Sequence, residues 1–301
     1  MDLTQSEVRV SIATDSVIQI ISDLRPQLHR YCARVVGSVV DGEDIVQESI
    51  LKALEALSKN GTIANPEGWL FRIAHNSALD FLRQRSRQIS RHSERELDTI
   101  ADPNAAADQA DAAAASLRTF MRLPVAYRST VILKDVLGYS LQEICDVTEI
   151  SVPAAKSALH RGRLRLREIA QEPIETQVLT LEPQARLRLA NYVERFNARD
   201  FDAVRDLLAE DVQLELVTKT RMKGRAEVGK YFTNYTRFRD WSCVPGWVDQ
   251  RPAVIVRDYA TSSVKPAYFI LLSWAGDHVI EIRDFNHARY VVEGADIIET
   301  T

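Results

Sequence analysis

Cysteine is scarce in this 301-residue chain: Cys32, Cys145 and Cys243 stand far apart, without the paired spacing of a zinc site. No disulfide framework can be built from them, which fits a reducing compartment, and no metal or cofactor is assigned. No apolar run approaches the length of a membrane span, and charges are scattered through residues 1–30. Neither an anchor nor a signal peptide is therefore expected, and a cytoplasmic location is. A net positive charge is also missing, since 38 Lys and Arg stand against 42 Asp and Glu, a balance of −4. Nucleic-acid binding by the surface as a whole is excluded, and any such binding must come from local basic faces. What the chain has is 46% apolar and 27% charged residues, enough for packed cores. At this length two or three domains are expected.

Within that even balance, the stretch between Lys156 and Arg167 holds no acid. It is preceded by an apolar helix carrying Ile132, Leu133, Val136 and Leu137 and ending at Gly138. Ser140 and Glu143 then form a capping box for a short helix with Leu141, Ile144 and Cys145. After a turn at Ile150, Ser151 caps a third helix, with Pro153 in its first turn. Val152, Ala155, Leu159, Gly162, Leu166 and Ile169 recur three and four apart as its core face. At about 100° per residue the opposite face collects Ser157, His160, Arg161 and Leu164, flanked by Lys156 and Arg165. This order predicts a helix-turn-helix whose second helix enters a major groove. The alternative is a small bundle with a solvated basic helix.

Upstream, helical spacing begins at Asp15 and runs through Val17, Ile20, Ile21, Leu24, Leu28, Tyr31, Val35 and Val36 to Gly37. A second helix, starting at Asp41 or Glu43, buries Val46, Ile50, Ala53 and Leu57 and gathers Asp44, Gln47, Glu48, Leu51 and Glu55 on its other side. A leucine among acids suits a protein partner better than a plain solvated face. Residues 60–65 form a loop, and Asn65-Pro66 opens a third helix with Leu70, Ile73, Ala74, Ser77 and Phe81 as its core stripe. Opposite lie Arg72, His75, Asn76, Leu79 and Arg83, flanked by Trp69 and continued by Arg85, Arg87 and Arg91. Cations interleaved with an aromatic and an amide suit a single nucleic-acid strand, whereas a helix merely ending in cations is the plainer reading. Residues 92–116 turn acidic and alanine-rich, first as a linker and then, from about Ala105, as a helix.

After Gln171 the pattern changes. Helices over 187–199, 201–209 and 224–238 alternate with strands over 212–217, 241–248, 253–258, 267–274 and 279–285, broken by Pro245-Gly246, Pro252 and Gly276-Asp277. This predicts helices on a curved mixed sheet, a cone with an open mouth. Asp284 and His287 are candidate bases there and Tyr231 a candidate donor, although an ion pair with a neighbouring strand explains Asp284 more simply.

Several of these motifs resemble known families. Leu123-Pro124, Tyr139-Ser140-Leu141-Gln142-Glu143-Ile144, Ile150-Ser151-Val152 and Lys156-Ser157-Ala158-Leu159-His160-Arg161 resemble region 4 of bacterial sigma factors of the extracytoplasmic-function (ECF) type. Asp41-Gly42-Glu43-Asp44-Ile45-Val46-Gln47-Glu48 resembles region 2.2 of the same family. Trp69-Leu70-Phe71-Arg72-Ile73-Ala74-His75-Asn76, with Asp80-Phe81-Leu82-Arg83, resembles regions 2.3 and 2.4. The C-terminal portion is similar to the SnoaL-like, NTF2-like domain through Asn197-Ala198-Arg199-Asp200, Leu207-Leu208-Ala209-Glu210-Asp211-Val212, Gly224-Arg225 and Ile280-Glu281-Ile282-Arg283-Asp284-Phe285.

The resemblance implies two all-α sigma parts followed by an α+β cone. The expected division is 1–95 for region 2, 96–117 for a linker, 118–171 for region 4, 172–183 for a second linker and 184–301 for the SnoaL-like domain. It implies a sigma factor that directs core RNA polymerase to promoters, and not an enzyme. Asp44, Gln47, Glu48 and Leu51 would then dock on the β′ clamp helices, with the β flap as a further contact. Asn65, Trp69, Arg72, His75, Asn76, Arg83, Arg85 and Arg87 would hold the −10 element, with the 60–66 loop and Asn76 as the pocket for a flipped base. Lys156, Ser157, His160, Arg161 and Arg165 would read the −35 element. Ala158 departs from the Arg usual in the family, and the Asp-Gly-Gly-Gly-Arg run of one fused group is missing. Whether the C-terminal domain acts through a small-molecule ligand, through contact with the sigma parts, or as an isomerase or cyclase stays open at this point.

Overall fold

The computed structural model describes residues 3–60, 63–90, 116–172, 181–237, 240–259 and 266–300. Arg91, most of the acidic connector over 92–116, part of the 60–66 loop and most of the tether over 172–183 lie outside the described residues. The chain divides into two compact units, Met1–Ile174 and Glu175–Thr301.

In the first unit, α1 (Leu3–Val36) and α2 (Val39–Asn60) meet at a turn where Gly37 adopts φ +80°, a conformation costly for a residue with a Cβ. The sequence placed the start of α2 at Asp41 or Glu43, but it begins earlier, because Ser38 Oγ accepts the Asp41 amide at 3.2 Å as a cap. Glu43 is instead fully buried and ion-paired with Arg25 on α1. Asn65 caps α3 (Pro66–Ser90) by accepting the Gly68 amide at 3.1 Å. Phe71, missed by the sequence stripe, is fully buried beside Leu70 and Ala74.

The short α4 (Leu117–Met121) and α5 (Val125–Val131) lead into a π-helical turn, Ile132–Val136, that ends the apolar stretch before Gly138. The capping box forms as expected: Ser140 Oγ accepts the Glu143 amide at 3.2 Å, and the Glu143 carboxylate accepts the Ser140 amide at 2.7 Å. It opens α6 (Leu141–Thr148), which Glu149 ends in the left-handed region at φ 58°. Ser151 caps α7 (Val152–Ala170). Gly162 lets α7 approach α5 closely, since a Cβ there would stand 2.6 Å from Val131 Cγ2. One continuous core joins residues of α1 to α3, such as Leu28, Tyr31 and Phe71, with Phe120, Leu133, Ile144 and Leu159.

The second unit carries α8 (Pro183–Asn197), α9 (Phe201–Asp206) and α10 (Arg225–Tyr231) with a seven-stranded sheet in the order β2-β1-β6-β5-β4-β3-β7. The strands are β1 (Leu208–Leu216), β2 (Thr220–Lys223), β3 (Trp241–Val248), β4 (Arg251–Asp258), β5 (Tyr268–Ala275), β6 (His278–Asp284) and β7 (Ile297–Glu299). Neighbours are antiparallel except β1 and β6, which run parallel. The mixed sheet with its helices is the α+β cone expected. Two details differ from the sequence reading. Leu208 belongs to β1 and pairs with Val279, so the helix expected to reach Ala209 stops at Asp206. Pro245 and Gly246 lie inside β3 rather than breaking it, and a Cβ at Gly246 would meet Ile298 O of the β7 edge at 2.6 Å. Leu189, Tyr192, Phe196, Val254, Ile270 and Ile282 belong to the core between helices and sheet.

Candidate nucleic-acid interface

Three exposed faces on the first unit come from three helices. On α2, Asp44, Glu48, Leu51 and Glu55 follow one another at spacings of four, three and four and are all exposed, with Gln47 half-buried beside them. Leu51 is 62% exposed, and Leu54, absent from the sequence reading though three residues on, is 37% exposed. Glu48 pairs with Lys52 at 2.7 Å in an exposed i,i+4 contact. Two large leucines therefore stand in water between carboxylates on this face.

On α3, Trp69, Arg72, Asn76, Arg83 and Arg87 fall within an arc of about 60° at 100° per residue. This stripe lies opposite the buried Leu70, Ala74 and Ser77. Arg72, Asn76, Arg83 and Arg87 are exposed, whereas Trp69 is half-buried against the core. Arg83 reaches Asp80 at 2.9 Å. Asn65 is exposed but already engaged as the helix cap. Arg85 is exposed as well, on the far side of the helix from this stripe by the same angular count.

His75 is a correction. Expected on the basic face, it is 6% exposed and its Nδ1 lies 2.7 Å from Tyr31 Oη. It sits at the boundary of the stripe, and the tyrosine hydroxyl draws the ring into the core. Burial, with the Arg83 charge adding to it, pushes the His75 pKa down to about 4. Because the folded value lies below the unfolded one of about 6.5, the unfolded chain takes up the proton first as pH falls. The stability held above pH 6.5 is then lost between 6.5 and about 4. Denaturant melts at pH 7 and pH 4.5 should show His75→Phe losing less stability on acidification than the parent, by on the order of 2 kcal/mol. Equal losses would mean that His75 is not held neutral.

On α7, Lys156, Ser157 and Arg161 are exposed and His160 is half-buried. Arg161 Nη1 donates to Tyr127 Oη on α5 at 3.2 Å. Arg165 is half-buried and shared between Glu168 at 2.8 Å and Glu172 at 3.8 Å, so its charge is partly compensated within the chain. Arg163 does not belong to this face: its guanidinium holds both oxygens of Asp135, a buried carboxylate on the π turn. Ala158 is 6% exposed, so its methyl packs rather than facing outward. Neither Tyr127 nor the Asp135–Arg163 pair was identified from the sequence, because both depend on where the π turn sets α5 against α7.

In the second unit, Asp284 is fully buried and holds tyrosines instead of the expected ion-pair partner. Its Oδ2 accepts from Tyr231 Oη at 2.6 Å and Tyr235 Oη at 2.7 Å, and its Oδ1 from the Asn286 amide at 2.8 Å. Burial pushes its carboxyl above the usual range, against the pull of these donors. The ion pair on these strands belongs to Arg283, which donates to Glu215 at 2.8 Å. His287 is exposed, three residues on from the buried Asp284 and close enough for the two charges to act on one another. Among the described residues no cluster of three His, Cys, Asp or Glu could hold a metal, and no helix is long and apolar enough to cross a membrane.

Comparison with known proteins assigns a family to each part of the chain. The Sigma-70 region 2 family matches residues 20–88, Sigma-70, region 4 matches 117–166, and the SnoaL-like domain matches 189–299. The RNA polymerase sigma factor CarQ of Myxococcus xanthus is 32% identical over 164 residues, covering 53% of this chain and 92% of CarQ. The ECF RNA polymerase sigma factor SigG of Mycobacterium tuberculosis is 28% identical over 217 residues, which are 64% of this chain and 59% of the length of SigG. The crystal structure of the Mycobacterium tuberculosis extracytoplasmic function sigma factor SigJ is 19% identical, covers 91% of this chain and 98% of its own, and superposes with a TM-score of 0.37. With regions 2 and 4 in order on one helical unit and an α+β cone after them, the chain belongs to the ECF RNA polymerase sigma factors and carries a SnoaL-like domain.

Proposed function

We propose that this chain binds core RNA polymerase and directs it to promoters, with the SnoaL-like domain modulating that activity. The division proposed is region 2 over 1–95, region 4 over 118–171 and the SnoaL-like domain over 184–301, joined by linkers. The observation that carries it is the presence on one chain of three separate exposed faces of different chemistry. The α2 face, acidic with leucines, suits a protein and repels phosphates. The Arg72, Asn76, Arg83 and Arg87 stripe, with Trp69 at its edge, suits an unpaired strand of the −10 element. The Lys156, Ser157 and Arg161 face on a capped helix-turn-helix suits the major groove at −35.

A second reading for the cone is favoured by one observation. Tyr231, Tyr235 and Asp284 form a buried hydrogen-bonded cluster, the kind of polar arrangement that ligand-binding or isomerase modules keep inside an apolar pocket. Contact rather than turnover is the role proposed, because the Asp284 carboxylate is fully buried and already accepts hydrogen bonds from Tyr231, Tyr235 and the Asn286 amide. In vitro transcription with core polymerase should change several-fold when the chain ends near Gln171, and far less with Asp284→Asn or His287→Ala in a folded chain. Loss of activity in the point variants, restored by a small-molecule product, would establish the enzyme reading instead.

A further inference from the structure

Three consecutive residues of α7 meet α5 and the π turn in different ways, and one of the contacts carries more than packing. Arg163 Nε donates to Asp135 at 2.8 Å and its Nη2 to the other carboxylate oxygen, so this guanidinium engages by the edge on which two N–H bonds run parallel. That pair holds the roll of α7 against the π turn. Gly162 brings α7 and α5 so close that a Cβ there would stand 3.3 Å from both the Cβ and the carbonyl oxygen of Tyr127. The tyrosine stem is therefore pinned against α7, and a ring with only two χ angles has little choice of direction. Its hydroxyl accepts from Arg161 Nη1 at 3.2 Å. Nη1 is only one corner of that guanidinium. The edge that Arg163 uses on Asp135, Nε with Nη2, has no hydrogen-bond partner in Arg161 among the described residues, and the Arg161 side chain is exposed.

We infer that Tyr127 is a positioning residue for promoter reading: it holds the Arg161 guanidinium in one orientation, so that the Nε–Nη2 edge is presented to a base pair as a ready-made fork. The inference rests on the promoter-directing reading, in which the α7 face enters the major groove at −35. An unheld arginine on a surface samples many rotamers, and ordering it at an interface weakens association. A tyrosine hydroxyl suits the task of holding it. A carboxylate in that place would engage the fork, as Asp135 does with Arg163, and would repel phosphates. The neutral hydroxyl takes one N–H of Nη1 and leaves both the fork and the charge unopposed. Two parallel donors match the O6 and N7 acceptors of guanine in the major groove. A phosphate oxygen can be met from many directions and carries no sequence information, so an orientation fixed in advance serves a base edge. Tyr127 then sets specificity from α5 without touching the DNA.

The test measures binding of the full chain with core polymerase to a promoter selected from genomic fragments, and to fragments in which each −35 base pair is changed in turn. Tyr127→Phe removes the hydroxyl and keeps the ring against α7. It is expected to lower discrimination at one base pair, the same one that Arg161→Ala relaxes, by about two- to tenfold, the cost of ordering one long side chain at an interface. Discrimination at the other pairs, the salt slope and the thermal melt should stay as in the parent, since no cation is lost. Added to Arg161→Ala, Tyr127→Phe should change nothing further, because the side chain it positions is gone. Discrimination unchanged by Tyr127→Phe would overturn the inference while leaving the promoter reading in place. An equal loss of affinity on every fragment, or the same loss repeated on top of Arg161→Ala, would overturn it too, since Tyr127 would then touch the DNA or hold the fold. A parent complex indifferent to every −35 change would instead contradict the promoter reading, and the inference with it.

Discussion

Asp44→Lys combined with Glu48→Lys is expected to abolish capture of core RNA polymerase while leaving the thermal melt nearly unchanged. Both side chains are exposed on α2, and the pair between Glu48 and Lys52 is of the exposed i,i+4 kind. Such a pair contributes about 0.3–0.5 kcal/mol to folding, so its loss is small against the stability of the unit. At an interface the same two reversals turn attraction into repulsion, which costs several kcal/mol and slows encounter. Leu51→Asp should act in the same direction, since a leucine 62% exposed adds little to the core but much to an apolar contact. Pull-down of core enzyme with wild-type recovery would show that α2 is a solvated face, and a collapsed melt would show that its residues hold the fold.

Replacing Lys156 and Arg161 together with alanine should remove −35 recognition. A bidentate base contact is worth about 1–3 kcal/mol of affinity, and a phosphate contact lowers the salt slope by about 1 when lost. Arg161 is expected to relax specificity at one base pair, and Lys156 to weaken binding evenly across sequences. Gel-shift titrations at two or three salt concentrations, on fragments with single −35 changes, separate the two. Unchanged affinity in the double variant would sink the assignment of α7. Arg163→Ala should instead destabilise region 4, because it strands the buried Asp135 without its guanidinium.

Much of the helical half was legible because its local signals agree with one another. The Ser140–Glu143 box, the Ser151 cap, Gly138 and the three-and-four spacing on α7 all point to one arrangement, and each is present. Residues at the edge of a stripe were not legible. His75 and Arg72 lie within about 60° of one another on α3, and periodicity cannot tell which one a tyrosine on another helix will draw inward. Arg128 posed the same difficulty at longer range, since an arginine in a helix reads as surface until the C-terminus of α1, 93 residues earlier in sequence, is placed beside it. In the cone, Pro245-Gly246 looked like punctuation because proline and glycine usually end strands. Gly246 is needed there because the β7 edge approaches too closely for any side chain. Asp284 looked like half of an ion pair with a neighbouring strand, but its partners are the hydroxyls of Tyr231 and Tyr235, about 50 residues earlier, which no local pattern places beside it.

The central claim is that two reading helices, α3 and α7, hold two promoter elements at once for a polymerase recruited through α2. Footprinting of a complex of core polymerase, this chain and a promoter selected from genomic fragments tests it most directly, with DNase for protection and permanganate for unpaired thymines. Protection at −35 together with reactive thymines at −10 is predicted, the −35 protection disappearing with Lys156→Ala and Arg161→Ala and the −10 reactivity with Arg72→Ala and Asn76→Ala. Protection of a single segment, or a footprint indifferent to all four changes, would contradict the account.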